Sequence, residues 1–317
     1  MDVAVIGTGL IGQAWAIVFA RAGYGVRLWD NDPQARVRAV ELIAGQARLL
    51  EQQELLADAE GLVGRVRVCN PLEEALQGVS YVQENLPEKP DLKREIFRRM
   101  DALASADTVL ASSTSSIPAS VFTEDLPGRG RCLVAHPVNP PYLVPVVELC
   151  GAPWTDATTL EAAHRIQSEA GQKPVIVRRE LEGFVLNRLQ GALLREAFRL
   201  VQDGTITVED LDVTVKDGLG LRWAFMGPFE TIDLNAPEGV ADYCDRYGGM
   251  YASIARAQRD CERWSADTVR EVERQRRERL PESELLRRRL WRDQRLMSLL
   301  RYKRQAEAAD AASPPAR

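Results

Sequence analysis

The stretch "DVAVIGTGLIGQAWAIVFARAGYGVRLWD", residues 2–30, has the order strand, glycine-rich turn, helix, strand. Val3 to Ile6 form a short continuous apolar run, as a buried parallel strand requires. Apolar residues then recur at helical spacing as far as Gly23, and a second apolar run ends at Trp29. This order predicts a βαβ unit.

Three glycines, Gly7, Gly9 and Gly12, form the pattern GxGxxG between the first strand and the helix. In such a turn the first glycine permits a tight bend, the second lets the backbone approach a pyrophosphate, and the third allows close packing of helix on strand. Asp30 closes the second strand, where a carboxylate binds the ribose 2′-hydroxyl and repels a 2′-phosphate. We therefore predict a site for NAD, in preference to NADP. The alternative is a tight turn without a ligand.

Strand-like and helical segments continue to alternate as far as Arg179, through runs such as "TVLASS" and "CLVAH". From Leu181 onward the period is almost wholly helical, most clearly in "GFVLNRLQGALLREAFRLVQDG". Alternation of this kind predicts a doubly wound parallel sheet. We expect an α/β protein with an N-terminal Rossmann-type domain at residues 1–179 and an all-helical domain at residues 180–317.

The composition excludes several classes of function. A net charge of −5 argues against nucleic acid as a partner, because phosphate binding needs a basic face. No apolar segment reaches the roughly 18 residues that span a bilayer. The first residues have no basic n-region or cleavage site, so we expect no targeting segment. The cysteines are scattered without a CxxC pair, which indicates reduced thiols and no metal site. We expect a cytoplasmic protein. The five cysteines are Cys69, Cys132, Cys150, Cys244 and Cys261.

His136 ends the run "RCLVAH" and is one of two histidines in the chain. A lone histidine after an apolar strand is more often a core residue than a catalyst. In open α/β sheets, however, ligands bind outside the carboxyl ends of strands. Glu148 ends the next strand-like run, "PVVEL", and if the two runs pair its carboxylate can orient the imidazole of a general base. His164 lies in a solvated helix and is assigned no role.

Two further polar features stand near apolar segments. The strand "VLAS" ends in a hydroxyl cluster, residues 112–116, and Asn187 lies inside the apolar helix "GFVLNRL". Functional roles are one interpretation. The alternatives are helix capping before Ile117 for the serines and a structural hydrogen bond for the asparagine.

Several long motifs, distributed over nearly the whole chain, occur in the order in which one known family has them. They are "SSTSSIP", "AHPVNPPYLVPVVEL", "GFVLNRLQ", "GLGLRWAFMGPFETIDLN", "YCDRY" and "WRDQRLM". These motifs resemble the L-3-hydroxyacyl-CoA dehydrogenase superfamily, and most closely its lambda-crystallin family, which includes L-gulonate 3-dehydrogenase. The resemblance implies an NAD-dependent oxidoreductase and a homodimer formed through the helical half.

The resemblance also implies roles at matching positions. His136 is similar to the family's catalytic base, and Glu148 to its carboxylate partner. Ser115 is similar to the serine that binds the substrate oxygen, and Asn187 to the asparagine near the reacting centre. Additional NAD contacts are implied for Leu10, Ile11, Glu88 and Lys93.

Two departures from the long-chain acyl-CoA enzymes concern the substrate. Ser113 stands where those enzymes have asparagine, and "ARVRAVELIAGQARLLEQQELLADAEG" stands where they have a lysine-rich hairpin. A lysine-free stretch with four glutamates is a poor site for the phosphates of CoA. Arg222, in an otherwise apolar stretch, could instead bind a free carboxylate, with an interface ion pair as the alternative.

We therefore expect an enzyme that oxidises the 3-hydroxyl of a small free hydroxy acid, with L-gulonate as the first candidate. Short-chain 3-hydroxyacyl-CoA and carnitine are the other candidate substrates, and Trp223 and Phe225 are candidates for an aromatic cage around a quaternary ammonium. A different class of function is a catalytically idle, NAD-binding crystallin. The combination of Ser115, His136, Glu148 and Asn187 argues against it, because a bulk protein has no need of all four.

Overall fold

The computed structural model describes residues 1–258 and 264–312, so Cys261 lies outside the described residues. The chain divides into two compact units. The first comprises Met1–Arg188 together with the chain from Leu290 onward, and the second comprises Leu189–Arg289. The predicted boundary between a Rossmann-type domain at residues 1–179 and a helical domain at residues 180–317 stays a prediction. The contacts of the chain group its C-terminal residues with the N-terminal unit.

Eight strands form one sheet in the first unit. They are β1 (Asp2–Ile6), β2 (Gly25–Trp29), β3 (Val66–Val68), β4 (Tyr81–Glu84), β5 (Val109–Ser112), β6 (Cys132–Pro137), β7 (Val146–Gly151) and β8 (Lys173–Val177). Their spatial order is β3-β2-β1-β4-β5-β6-β7-β8, and neighbours from β3 to β6 run parallel. The strand order reverses between β1 and β4, which is where doubly wound sheets bind their ligands.

Strand β1 shows why the sheet is buried on both faces. Val3 and Val5 pack into one apolar cluster, Ala4 and Ile6 pack into another, and all four are fully buried. Successive side chains of a strand point to opposite faces, so a continuous apolar run suits a sheet that is covered on both sides. The predicted doubly wound α/β fold is confirmed.

Helices cover the two faces of the sheet. The face that buries Val3 is covered by α1 (Leu10–Arg21), α2 (Pro33–Gln52), α3 (Ala59–Gly64) and α7 (Ala157–Glu169). The other face is covered by α4 (Leu72–Leu76), α5 (Pro90–Leu103) and α6 (Ser120–Thr123). Asp32 caps α2 by accepting the N–H of Gln34, and Pro33 occupies the first helical turn, where it costs no hydrogen bond.

Strand β7 departs from the parallel pattern expected of the sheet. It pairs antiparallel with β6, while β8 is parallel to β7. The connection, residues 138–145, is shorter than the crossover of about a dozen residues that a parallel pair requires, so the chain turns back on itself. The expectation that Glu148 ends its strand is therefore wrong, because β7 continues to Gly151. Glu148 is its third residue and lies opposite His136.

The second half of the chain is helical, as expected. Its helices are α8 (Leu186–Gln202), α9 (Val208–Val213), a π-helix (Thr214–Leu219), α10 (Gly220–Trp223), α11 (Pro228–Leu234), α12 (Val240–Ala257), α13 (Ala266–Arg279) and α14 (Leu285–Ala312). Met297 of α14 is buried in the same cluster as Val3. In the described part of the chain no helix is long and apolar enough to cross a membrane. The described cysteines, Cys69, Cys132, Cys150 and Cys244, are free thiols.

Candidate active site

The three glycines of the first turn are needed for different structural reasons. Gly7 has a φ of +93°, in the left-handed region that glycine adopts readily. A Cβ at Gly12 would lie 1.9 Å from the carbonyl oxygen of Gly7, so the backbone leaves no room for a side chain there. A Cβ at Gly9 would meet no protein atom within 4 Å. The protein itself thus requires glycine at positions 7 and 12, whereas the open space at Gly9 suits the close approach of a pyrophosphate.

Asp30 follows β2 and lines a cavity of about 530 Å³ together with Gly7, Gly9 and Asn85. Its Oδ2 accepts the backbone N–H of Thr8 at 2.7 Å and the Thr8 hydroxyl at 3.0 Å. These bonds fix the carboxylate beside the glycine turn, where the acidic residue of a dinucleotide site belongs. Leu10 and Ile11 begin α1 at the same turn, the first exposed and the second half-buried.

His136 and Glu148 form a buried pair at the end of β6. The imidazole Nδ1 lies 2.8 Å from Oε2 of Glu148, and both side chains are almost fully buried. The other carboxylate oxygen, Oε1, accepts the backbone N–H groups of Val185 and Leu186, each at 2.9 Å. Burial alone would raise the pKa of Glu148, but these three hydrogen bonds outweigh it and lower the pKa from its ordinary value of 4.5.

The state of the carboxylate determines the tautomer of the ring. An ionised carboxylate can only accept hydrogen bonds, so Nδ1 of His136 carries the proton that it donates to Glu148. In the neutral ring this leaves Nε2 with a free lone pair. The pair can therefore take up a proton at Nε2, and Glu148 then faces an imidazolium that it stabilises.

Glu88 organises the hydroxyl cluster that follows β5. Its Oε1 accepts the Thr114 hydroxyl at 2.5 Å and the backbone N–H groups of Ser115 and Ser116 at 2.9 and 3.0 Å. Burial would raise the pKa of Glu88, but these bonds and the positive charge of Lys93 lower it. Glu88 was predicted as an NAD contact, and in this structure its carboxylate shapes the loop that carries Ser115.

The first turn of α8 connects the histidine pair with the serine loop. Leu186 donates its N–H to Glu148, and the next residue, Asn187, donates its side-chain Nδ2–H to the carbonyl oxygen of Ser115 at 2.9 Å. Ser115 is exposed and Asn187 is half-buried, so both can contact a ligand. One helix terminus thus ties together the four residues that were predicted as catalytic.

Lys93 lies in an interior ion pair. Its ammonium is bonded to both oxygens of Glu84, at 3.0 and 2.9 Å, and to the carbonyl oxygen of Leu86 and the hydroxyl of Ser112 at 3.3 Å each. Lys93 is 1% exposed and Glu84 is 0% exposed. The acceptors occupy the three N–H donors of the ammonium. The predicted contact of Lys93 with NAD stays a prediction, and its observed contacts fix the segment after β4.

A polar cluster beneath the strand ends was not predicted from the sequence. Ser113 Oγ accepts Nε1–H of Trp15 at 2.9 Å and Nε2–H of Gln83 at 2.7 Å, and it donates to Oδ1 of Asn85 at 2.7 Å. Gln83 also donates to the carbonyl oxygen of Ala135, the residue before His136. Gln83, in the buried strand "YVQE", was the one available signal, because a buried amide needs partners.

Comparison with known proteins places the chain in a family. Residues 2–181 match the family "3-hydroxyacyl-CoA dehydrogenase, NAD binding domain", and residues 183–274 match its C-terminal domain. The chain belongs to the 3-hydroxyacyl-CoA dehydrogenase family. It is an NAD-dependent hydroxy acid dehydrogenase.

Relatives of this dehydrogenase include lambda-crystallin of Oryctolagus cuniculus, 41% identical over 96% of this chain and 97% of the relative. L-carnitine dehydrogenase of Streptomyces griseus is 44% identical over 79% of this chain and 75% of the relative. Among solved structures, 5-formyl-3-hydroxy-2-methylpyridine 4-carboxylic acid 5-dehydrogenase, an NAD+-dependent dismutase, has a TM-score of 0.80 and 29% identity, covering 96% of this chain and 98% of that one. The predicted lambda-crystallin resemblance is confirmed.

The residues present in this dehydrogenase fit its cofactor, NAD. The free space at Gly9 and the cavity that Asp30 lines provide for the pyrophosphate and the adenosine ribose. An acidic side chain at that position disfavours a 2′-phosphate. Arg222, the predicted substrate ligand, is an exposed residue of α10 in the second unit.

Proposed function

We propose that this enzyme oxidises the 3-hydroxyl of a small free 3-hydroxy acid, with L-gulonate as the substrate and 3-dehydro-L-gulonate as the product. The observation that carries the chemistry is the 2.8 Å contact between Nδ1 of His136 and Oε2 of Glu148. It leaves Nε2 of the imidazole free to act as a base at the carboxyl edge of the sheet.

In the proposed reaction Nε2 of His136 removes the proton of the substrate hydroxyl while the carbon that bears this hydroxyl is oxidised. Hydride acceptance is the chemistry that NAD supplies when bound. The carboxylate of Glu148 stabilises the imidazolium that forms, since the two groups are buried and in direct contact. Ser115 and Asn187 bind the substrate oxygen and orient the carbon. Glu88 keeps the Ser115 loop in the conformation that this needs.

A free acid is favoured over a CoA thioester by features of α2. Residues 35–61, most of this helix and the segment after it, contain no lysine. Their five acidic side chains outnumber their three arginines, so the net negative charge disfavours the phosphates of CoA. Two relatives also carry the names of free carboxylates as substrates, one L-carnitine and the other a pyridine 4-carboxylic acid. L-gulonate takes precedence over carnitine because the lambda-crystallin relatives match over 96% of the chain and the carnitine enzymes over 79% or less.

A free carboxylate needs a cation in the pocket. We assign this role to Arg222, whose planar guanidinium can bind a carboxylate with two parallel hydrogen bonds. Its exposed side chain is available for such a contact, and we propose that it reaches the site of the partner subunit in a dimer.

The homodimer itself is supported by the apolar surface of the second unit. Among the described residues of Leu189–Arg289, Val208 is the only apolar side chain that is buried. Large exposed apolar patches mark interaction sites. The unit exposes Leu221, Phe225, Phe229, Leu234 and Met250, among others. Sedimentation velocity at micromolar concentration is expected to give twice the chain mass, and a monomer would contradict this part of the proposal.

The substrate is tested by measuring NADH formation from four compounds under identical conditions: L-gulonate, 3-hydroxybutyrate, carnitine and 3-hydroxybutyryl-CoA. We expect the highest kcat/KM for L-gulonate. A higher value for the CoA thioester would overturn the proposed free-acid specificity. Binding of NAD without turnover of any of the four would support a catalytically idle crystallin.

Carnitine is the second candidate, because the carnitine dehydrogenase of Streptomyces griseus is 44% identical to this chain. Trp223 and Phe225 are exposed beside Arg222 and could contact a quaternary ammonium. A kcat/KM for carnitine above that for L-gulonate, lost in Trp223→Ala, would favour this function. The cytoplasmic location stays a prediction, to which the free thiols of the described cysteines are suited.

A further inference from the structure

Phe184 has a backbone conformation that is rare for its residue type. Its φ is 48°, and among the described non-glycine residues it shares the left-handed region with Glu54 alone. A bulky side chain is strained in this region and persists there only when its surroundings hold it. Phe184 is nevertheless completely buried, and Gly183 before it is left-handed too, with a φ of 74°. The chain therefore makes a tight, strained turn directly before α8.

This turn contacts both members of the histidine pair. The centroid of the Phe184 ring lies 5.6 Å from that of the His136 imidazole, with 34° between the planes. The two residues that follow, Val185 and Leu186, donate their N–H groups to Glu148. A single left-handed residue thus places an aromatic ring against the base and two hydrogen-bond donors against the carboxylate.

We propose that Phe184 is a positioning residue of the dehydrogenase, an inference that rests on the proposed function. Its ring covers one face of the imidazole and limits the rotation of His136 to orientations in which Nδ1 faces Glu148. Its left-handed backbone aims the next two N–H groups at Oε1 of the same carboxylate. Both contacts keep Nε2 directed to one place, and proton transfer in an enzyme is sensitive to small displacements of the base.

The first test compares two phenylalanines of the same core cluster. Phe184→Leu removes the ring from His136 but keeps an apolar side chain, and Phe97→Leu makes the same change at a site packed against Phe122. Both variants are expected to lower the thermal midpoint. Only Phe184→Leu is expected to lower kcat, on the order of tenfold, with the KM for NAD unchanged. Equal kcat values for the two variants would overturn the proposal.

The second test is a double-mutant cycle with Glu148→Gln. If Phe184 acts through the histidine pair, its substitution should cost much less kcat once the carboxylate is gone, because the imidazole has already lost its orienting partner. We expect the tenfold effect to fall to about twofold or less in the Glu148→Gln background. A purely structural role predicts the same fold-change in both backgrounds, and that result would contradict the proposal.

A third measurement reports on the ring directly and needs no turnover. The chain has two histidines, so His164→Gln assigns the NMR signal of His136. Loss of the adjacent aromatic ring in Phe184→Leu should shift the Cε1–H resonance of His136, whereas Phe97→Leu should not. An unshifted resonance would contradict the contact. Full kcat in Phe184→Leu with an active wild type would overturn this inference alone, while a wild type inactive with every substrate would overturn the proposed function.

Discussion

Glu148 lies directly opposite His136 in the antiparallel pair of β6 and β7. Its Oε2 is 2.8 Å from the ring Nδ1, and its Oε1 accepts the N–H of Leu186 at the start of α8. Both oxygens of the carboxylate are therefore used, one for the base and one for the helix. The arrangement makes the orientation of the base depend on a strand pair and on a helix terminus at once.

Replacing the base should affect turnover and not cofactor binding. His136→Gln is expected to lower kcat by about 10² to 10⁴, because it removes the imidazole Nε2 that is proposed to accept the hydroxyl proton. The dissociation constant of NAD should stay within about twofold, since the glycine turn is untouched. His164→Gln, at an exposed position, is the matched control. Steady-state kinetics and NAD titration check the result, and a His136→Gln enzyme with near-normal kcat would contradict the mechanism.

Glu148 should make stability depend on pH in one direction. Its folded-state pKa is lowered, so its ionised form stabilises the fold above its ordinary pKa of 4.5, and this contribution is lost as the pH falls through the folded value. We expect Glu148→Gln to lower the urea midpoint near neutral pH, corresponding to about 1–3 kcal/mol. The difference from wild type should shrink below pH 4.5. A difference that grows on acidification would contradict a lowered pKa of Glu148 in the folded state.

Two glycines of the turn offer a matched pair of variants. Gly12→Ala places a Cβ against the carbonyl oxygen of Gly7 and should destabilise the apo-protein by about 1–3 kcal/mol. Gly9→Ala meets no protein atom, so the apo-protein should keep its thermal midpoint while NAD binds at least about tenfold more weakly. Calorimetry without NAD and titration with NAD separate the two effects. Unchanged NAD affinity in Gly9→Ala would argue against a pyrophosphate at this position.

Variants of the interior ion pair of Lys93 and Glu84 distinguish an effect on stability from an effect on NAD binding. Lys93→Met leaves the carboxylate of Glu84 buried without its cation and should cost about 3–5 kcal/mol. The double variant Glu84→Leu/Lys93→Met should recover most of that stability, because no charge is left unpaired. We expect NAD to bind the recovered double variant about tenfold more weakly, since Leu86 and Asn85 line the cavity above the pair. Wild-type affinity in the double variant would show that Lys93 acts on stability alone.

Arg222 should affect substrate binding and leave the chemistry intact. Arg222→Ala is expected to raise the KM for the hydroxy acid about 10- to 100-fold, which corresponds to a lost charge-assisted pair, with a small effect on kcat. Arg222→Lys should recover only part of the loss, because an ammonium cannot bind a carboxylate bidentately. Arg270→Ala, another exposed arginine of the second unit, is the control. An unchanged KM in Arg222→Ala would remove the proposed role.

Much of the site could be predicted because its residues lie at recognisable places in the chain. The spacing of Gly7 and Gly12 and the position of Asp30 reflect a local βαβ unit, whose geometry depends on neighbouring residues. The contact between His136 and Glu148 could be predicted because each residue belongs to an apolar, strand-like run, and the two runs were expected to pair in the sheet. The direction of β7 was not part of that prediction, although the short connection before it already excluded a parallel crossover.

The sequence by itself determined the alternation of strands and helices, the dinucleotide turn and the presence of a histidine at a strand end, because periodicity and spacing are local properties. Only the tertiary structure placed Phe184 against His136, Glu88 under the serine loop and Ser113 among Trp15 and Gln83. These partners are far apart in the chain, and no local pattern records which of them meet. Their contacts arise only when the strands assemble and burial forces each polar group to find a partner.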